Sequence, residues 1–226
     1  AIYPCAYALP AAAAVPARCS VGLPADGLVL CAMHSAYKID PAVFAIWMRL
    51  LVKHDDAILW LLDCGAQMRD ELSRNAAKEG VSPDRLHFAV KVPHADHLAR
   101  LQCADLALDT PQCNGGTTTI DALAAGVPVL TCCGNTLMQR VAASLVHAAG
   151  FDVFVVSDLN AYEALADSLL RSPERLVGLR QQIKVAHGER EVFMPKKWLR
   201  YFESGMQMAW NRFGQGLTPE MIVVKP

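Results

Sequence analysis

Short apolar runs alternate along the chain with longer stretches in which apolar residues recur every three or four positions. GLVLCAM (27–33) gives way to the polar HSAYKID, and PAVFAIWMRLLVKH (41–54) opens with Pro41 at a first-turn position and continues at helical spacing. The alternation then recurs. AILWLLD (57–63) is followed by a helix to about Glu79, and RLHFAVK (85–91) by HADHLARLQCA. DLALDT (105–110) leads to CNGGTTTIDALAAG, PVLTC (128–132) to TLMQRVAASLVHAAG, and DVFVVS (152–157) to NAYEALADSLLRS. Six strands separated by helices, with few hairpin turns, predict an α/β fold: a Rossmann-like parallel sheet with helices on both faces. Gly80 and Gly150 stand where two of the helices should stop. The stretch from Pro173 to Phe213 adds two further helices, the last carrying Trp198, Phe202 and Trp210.

The opening AIYPCAYALPAAAAVPARCS has prolines at 4, 10 and 16 and no basic start ahead of an apolar stretch, so it reads as a linker and not a signal peptide. The expected organisation is a linker over 1–24, a Rossmann-like domain over 25–190 and a C-terminal helix and tail over 191–226. The start at Ala1 without methionine suggests that further chain precedes it.

Composition narrows the partners. Hydrophobic residues make up 53% of the 226, enough to bury a full core. Lysine plus arginine (21) nearly balance aspartate plus glutamate (22), so no global field draws nucleic acid or an anionic membrane, and any anion site must be local. The eight cysteines form no CxxC and sit mostly in apolar runs, which reads as reduced cysteine in a cytoplasmic protein. No apolar run approaches the ~20 residues that span a bilayer.

The chemistry concentrates in CNGGTTTID (113–121), which follows a strand and opens a helix. In open α/β sheets the ligand crevice lies at such a point. Gly115 and Gly116 allow close backbone approach, the helix start attracts anions, and Thr117 and Thr118 add hydroxyl donors, a set suited to phosphate. A threonine that merely caps the helix is the alternative. Asp121, four residues after Thr117, would accept from ribose hydroxyls or serve as a favourable first-turn charge. The stretch is neither a Walker loop nor GxGxxG. Lys38, in the loop after the first strand, could offset a diphosphate or be a solvated surface lysine. His94, His97 and Arg100 share a helix face. Two histidines lack the further ligands of an ordinary zinc site and no HExxH is present, so a nucleotide base suits them better than metal, with surface helix residues as the default.

In their order, GLPADGLVLCAMHSAYKIDP, ILWLLD, HADHLARLQCADLALDTPQCNGGTTTIDALAAGVPVLT and RVAASLV resemble the C-terminal catalytic half of a glycosyltransferase family. That family includes nucleocytoplasmic O-GlcNAc transferase, its bacterial homologues and the plant SPINDLY proteins. The resemblance covers roughly residues 20–212. It implies one half of a GT-B fold, with residues 25–190 as the nucleotide-sugar-binding half, the tail packing toward an N-terminal half, and tetratricopeptide repeats in the parent protein. It implies a UDP-sugar donor, a protein acceptor, no cofactor and no metal, with sugar moving by inversion onto Ser or Thr hydroxyls. Carried onto this chain, Lys38 contacts the diphosphate and stabilises the departing nucleotide, as the catalytic residue. His97 lies against uracil with Arg100 close by, the backbone near Val92 reads the base edge, Thr117 and Thr118 bind pyrophosphate, and Asp121 reaches the ribose. Gly116 stands where animal O-GlcNAc transferase has a histidine, His94 where it has a lysine near the ribose, and Ser35 where it has a glutamine near the diphosphate. The expected function is transfer of GlcNAc from UDP-GlcNAc to protein, inactive in this stretch alone. GDP-fucose-dependent O-fucosyl transfer and a catalytically silent nucleotide-binding scaffold are the alternatives.

Overall fold

The computed structural model describes residues 13–186 and 190–224, so the first half of the expected linker, 1–12, lies outside the described residues. Its centre is one parallel sheet of six strands: β1 (Leu28–Ala32), β2 (Ala57–Leu62), β3 (Leu86–Ala89), β4 (Leu106–Leu108), β5 (Val129–Cys132) and β6 (Val155–Val156). Their spatial order is β3-β2-β1-β4-β5-β6. β1 is buried at every position, as a parallel strand covered on both faces must be.

The helices are α1 (Pro41–Lys53), α2 (Ala66–Lys78), α3 (His94–Leu101), α4 (Thr117–Ala124), α5 (Val141–Ala148), α6 (Leu159–Leu170), α7 (Pro173–Ala186) and α8 (Pro195–Gly214). α1 starts where the Asp40 carboxylate accepts from the amides of Ala42 (2.9 Å) and Val43 (3.1 Å), with Pro41 in the first turn. It buries Phe44, Trp47 and Leu50 among others, and each such side chain contributes about 1.5–3 kcal/mol. Trp47 meets the equally buried Tyr162 of α6, donating from Nε1 to the phenol oxygen at 3.4 Å. Thus α1 and α6 share one face, while α3, α4 and α5 lie side by side on the other, where right-handed crossovers from β3 onward put them. α5 ends at Gly150, whose φ of 79° is the left-handed conformation that glycine adopts without strain.

At the opposite end of the sheet, Asp105 accepts from Arg18 and Arg180, each at 2.8 Å, and from the Val29 amide at 2.8 Å. This cluster ties the described part of the N-terminal segment and α7 to the starts of β1 and β4.

Several elements are shorter than the sequence predicts, β3 and β4 among them, and two others show why. Residues 136–140 stay out of α5, because Gln139 Oε1 accepts from the amides of Asn135 and Thr136 and from the Thr136 hydroxyl, holding a turn. The predicted strand 152–157 begins instead as a 3-10 turn, Asp152–Phe154, leaving two residues to pair with β5. α8 buries none of its residues; Trp198 stacks on Phe202 at 5.1 Å, and Leu199, Met206, Trp210 and Phe213 are exposed. Among the described residues no helix is long and apolar enough to cross a membrane.

Candidate functional site

The strand order reverses between β1 and β4, so the loops leaving their carboxyl ends diverge and open a crevice. The loop after β1 brings His34, Ser35 and Lys38 to it; the loop after β4 brings Asp109 through Gly116 and runs straight into α4.

Asp109 forms the floor at 1% exposure. One carboxylate oxygen accepts from the Gly115 amide at 2.7 Å and the other from the Thr131 hydroxyl at 2.7 Å. Its main-chain oxygen accepts from Tyr162 at 3.0 Å, and burial keeps that phenol protonated. Burial pushes the Asp109 carboxyl up from 3.8 to about 6, against the pull of these donors and of Lys38. Beside it, His34 Nε2 lies 3.2 Å from the Leu108 oxygen and 3.7 Å from Asp109 Oδ1. A carbonyl only accepts, so Nε2 carries the ring proton. Burial, then the nearby Lys38 charge, push the imidazole down to about 4, so the ring is neutral near pH 7. Its bare Nδ1 faces Thr118 Oγ1 at 3.4 Å.

Lys38 Nζ donates to the Asn114 oxygen at 2.9 Å, which sets the ammonium over the glycine loop. Asn114 is itself buried and pins that loop, its amide group donating to the Thr110 oxygen at 3.1 Å and its main-chain N–H to the Met138 oxygen at 2.9 Å. Gly115 is needed here for space: a Cβ would collide with the hydroxyls of Thr118 and Thr119 and come within 2.9 Å of His34 Cε1.

The role of the threonines turns on how α4 begins. Its N-cap is Gly116, which has no side chain to offer. Thr119 donates back to the Gly115 oxygen at 2.9 Å, Thr118 is turned to His34, and Thr117 is exposed. None of the three serves as the N-cap, so the first amides of α4, at the positive end of its dipole, have no side-chain cap.

The other predicted residues form a second cluster reached along α4 through Asp121. That buried carboxylate lies 2.9 Å from His94 Nε2 at the start of α3. His97 neighbours both and is held below its usual range, first by burial and then by Arg100. Arg100 donates to His97 Nδ1 at 3.2 Å and to the Val90 oxygen at 2.7 Å, and lies over the Trp60 ring at 5.8 Å. It is 6% exposed, so its guanidinium props His97 and the Val90–Val92 loop. Val92 and Arg100 also line a cavity of about 410 Å³, together with Ala14, Pro16, Ser20 and Val21 of the N-terminal segment. A larger groove of about 650 Å³ between Gly150 and α7 holds none of the predicted residues. Among the described residues no group of three His, Cys, Asp or Glu side chains could hold a metal ion.

Four residues of the site lack a sequence signature of their own: His34, Asp109, Asn114 and Tyr162. The nearest thing to one is position, since His34 and Asp109 are polar residues just past apolar strands.

A profile of glycosyl transferase family 41 matches residues 5–202. The chain belongs to that family. This family 41 domain is 30% identical over 209 residues to a UDP-N-acetylglucosamine–peptide N-acetylglucosaminyltransferase of Caenorhabditis elegans, covering 92% of the chain and 18% of the relative. It is 32% identical over 206 residues to the probable enzyme of the same name, SEC, of Arabidopsis thaliana, covering 91% and 21%. The chain therefore spans about a fifth of the length of these relatives. Among solved structures it is similar to a mutant of Thermobaculum terrenum O-GlcNAc transferase, with a TM-score of 0.69 at 27% identity over 77% of this chain and 35% of that one. Anabaena HepE, in complex with UDP and glucose, shares the fold at a TM-score of 0.58 and 14% identity, covering 80% of this chain and 49% of that one.

Proposed function

We propose that this domain is the donor half of a protein O-GlcNAc transferase, holding UDP-GlcNAc while the sugar passes, with inversion and without a metal, to a Ser or Thr hydroxyl. The relatives' activity and the domain's place in family 41 support the reaction class. The observation that carries the nucleotide site is the start of α4, where Gly116 leaves the first amides without a side-chain cap, two residues past the Asn114 oxygen that holds Lys38.

In this reading the diphosphate lies on the amides of Gly116, Thr117 and Thr118, with both threonine hydroxyls turned to it. Lys38 exchanges the Asn114 oxygen for a phosphate oxygen. Asp121 accepts from the ribose in place of, or together with, His94. Neutral His97 lies against uracil, the backbone near Val92 reads the base edge, and Arg100 keeps both in place. As the bond from the anomeric carbon to the diphosphate oxygen breaks, that oxygen gains negative charge. Lys38 and the α4 dipole stabilise it at the point where a divalent ion would otherwise serve. The acceptor, an N-terminal GT-B half and repeats belong to the parent protein, and the cytoplasm is its proposed location.

The test is transfer from UDP-GlcNAc to acceptor protein, followed by mass spectrometry, in the full-length parent and its Lys38→Ala variant. Turnover should fall by about 10²- to 10³-fold, with UDP affinity changed far less. Equal turnover would remove Lys38 from the chemistry.

A further inference from the structure

The hydrogen-bond direction between His34 and Thr118 is dictated from the far side of the ring. Because the Leu108 oxygen takes the Nε2 proton at 3.2 Å, a neutral ring presents a bare Nδ1 to Thr118 Oγ1 at 3.4 Å. Thr118 has one hydroxyl proton. While it points at Nδ1, the oxygen shows lone pairs to the crevice, the wrong polarity for a phosphate oxygen. Turning the proton outward leaves two lone-pair atoms, Oγ1 and Nδ1, facing each other in a site where His34 is 7% exposed. Moving the ring proton to Nδ1 instead strips the Leu108 oxygen of its donor. Only a ring carrying both protons satisfies the Leu108 oxygen, Thr118 and an anion together, with Asp109 Oδ1 at 3.7 Å as counter-charge.

We propose that His34 is a positioning residue of the anion site. Binding of a nucleoside diphosphate is coupled to uptake of one solvent proton at His34 Nδ1, which turns the Thr118 hydroxyl onto the phosphate. The inference rests on the reading of the crevice as a diphosphate site. The titratable groups facing the ring are Lys38 from its own loop, Asp109 after β4 and Cys31 on β1; α4 contributes only the hydroxyls of Thr118 and Thr119. Burial pushes the Cys31 thiol up to about 12, so it adds no charge. The Lys38 charge helps keep the ring neutral. A bound diphosphate offsets that charge and adds its own, which raises the ring's affinity for a proton. Affinity for the nucleotide therefore strengthens as the pH falls below neutral.

The experiment is calorimetric titration of the whole chain with UDP, in buffers of differing ionisation enthalpy, on wild type and His34→Gln. A glutamine amide can still donate to the Leu108 oxygen but does not titrate. Wild type should take up a fraction of a proton near about pH 7, rising toward one at about pH 6, and the variant should lack that increment while still binding UDP. Equal proton counts in two UDP-binding proteins would overturn the coupling and leave the nucleotide site standing. Absence of UDP binding to wild type would overturn both. Should His34→Gln fail to fold, the imidazole nitrogen resonances of His34 in wild type decide the matter. UDP should convert the Nε2–H tautomer to the doubly protonated ring, and unchanged resonances would overturn the proposal.

Discussion

Asp109→Asn removes a buried charge and keeps its shape. The asparagine oxygen can accept from Gly115, and its amide can donate to Thr131, whose hydroxyl rotates to accept. The magnitude follows from proton affinity. The folded protein holds the Asp109 proton up to about 6 against 3.8 for an ordinary aspartate, and this gap converts to about 3 kcal/mol. As pH rises through that window the unfolded chain gives up its proton first, so stability falls with pH, and by neutral pH the ionised carboxylate costs the folded state that amount. His34 acts in the opposite sense. Its folded value near 4 lies below 6.5, the unfolded chain is protonated first as pH falls, and stability is gained as pH rises across the same range. In wild type the two slopes oppose each other. Urea titrations from about pH 4.5 to about pH 7.5 should show Asp109→Asn gaining on wild type as the pH rises, to end up to about 3 kcal/mol above it near neutrality. An asparagine variant less stable than wild type near neutral pH would refute this reasoning, because it would make the Asp109 charge a net source of stability. A carboxylate kept at such a cost fits one retained to face His34 and hold the glycine loop.

Gly115→Ala forces a Cβ against Thr118, Thr119 and His34; UDP affinity should drop at least about tenfold, and unchanged affinity by calorimetry would separate this loop from the nucleotide site. Tyr162→Phe removes the donor to the Asp109 main-chain oxygen and the acceptor for Trp47, and should cost about 1–3 kcal/mol in urea unfolding; an unmoved midpoint would show that these buried groups find other partners.

The sheet is legible because β1, β2 and β4 are continuous apolar runs and the segments between strands recur at helical spacing, a contrast that a buried parallel sheet imposes on sequence. Segment ends are less so. Nothing in TLMQR signals that Gln139 will fold back on Asn135 and Thr136 and delay α5, since the turn depends on one side-chain oxygen meeting three donors. Within the site, CNGGTTTID stood out because glycines and hydroxyls at a strand-to-helix turn have a recognisable purpose. His34 and Asp109 have meaning only where the ends of β1 and β4 meet, and no local pattern reports that meeting. The resemblance implies that Arg100 lies close to the base. Its bonds to Val90 and His97 and its seat on Trp60 come from three separate elements, which single-segment periodicity does not reveal.

In the proposed function the start of α4 binds the diphosphate of a uridine nucleotide. Calorimetric titration of the chain with UDP and then GDP, repeated on the Thr117→Ala/Thr118→Ala double variant, tests it most directly. UDP should bind wild type in preference to GDP, and the double variant should lose at least about a hundredfold in affinity, two hydroxyl donors to a charged group at about 1.5 kcal/mol or more each. Equal UDP affinity in wild type and double variant, or a preference for GDP, would contradict it.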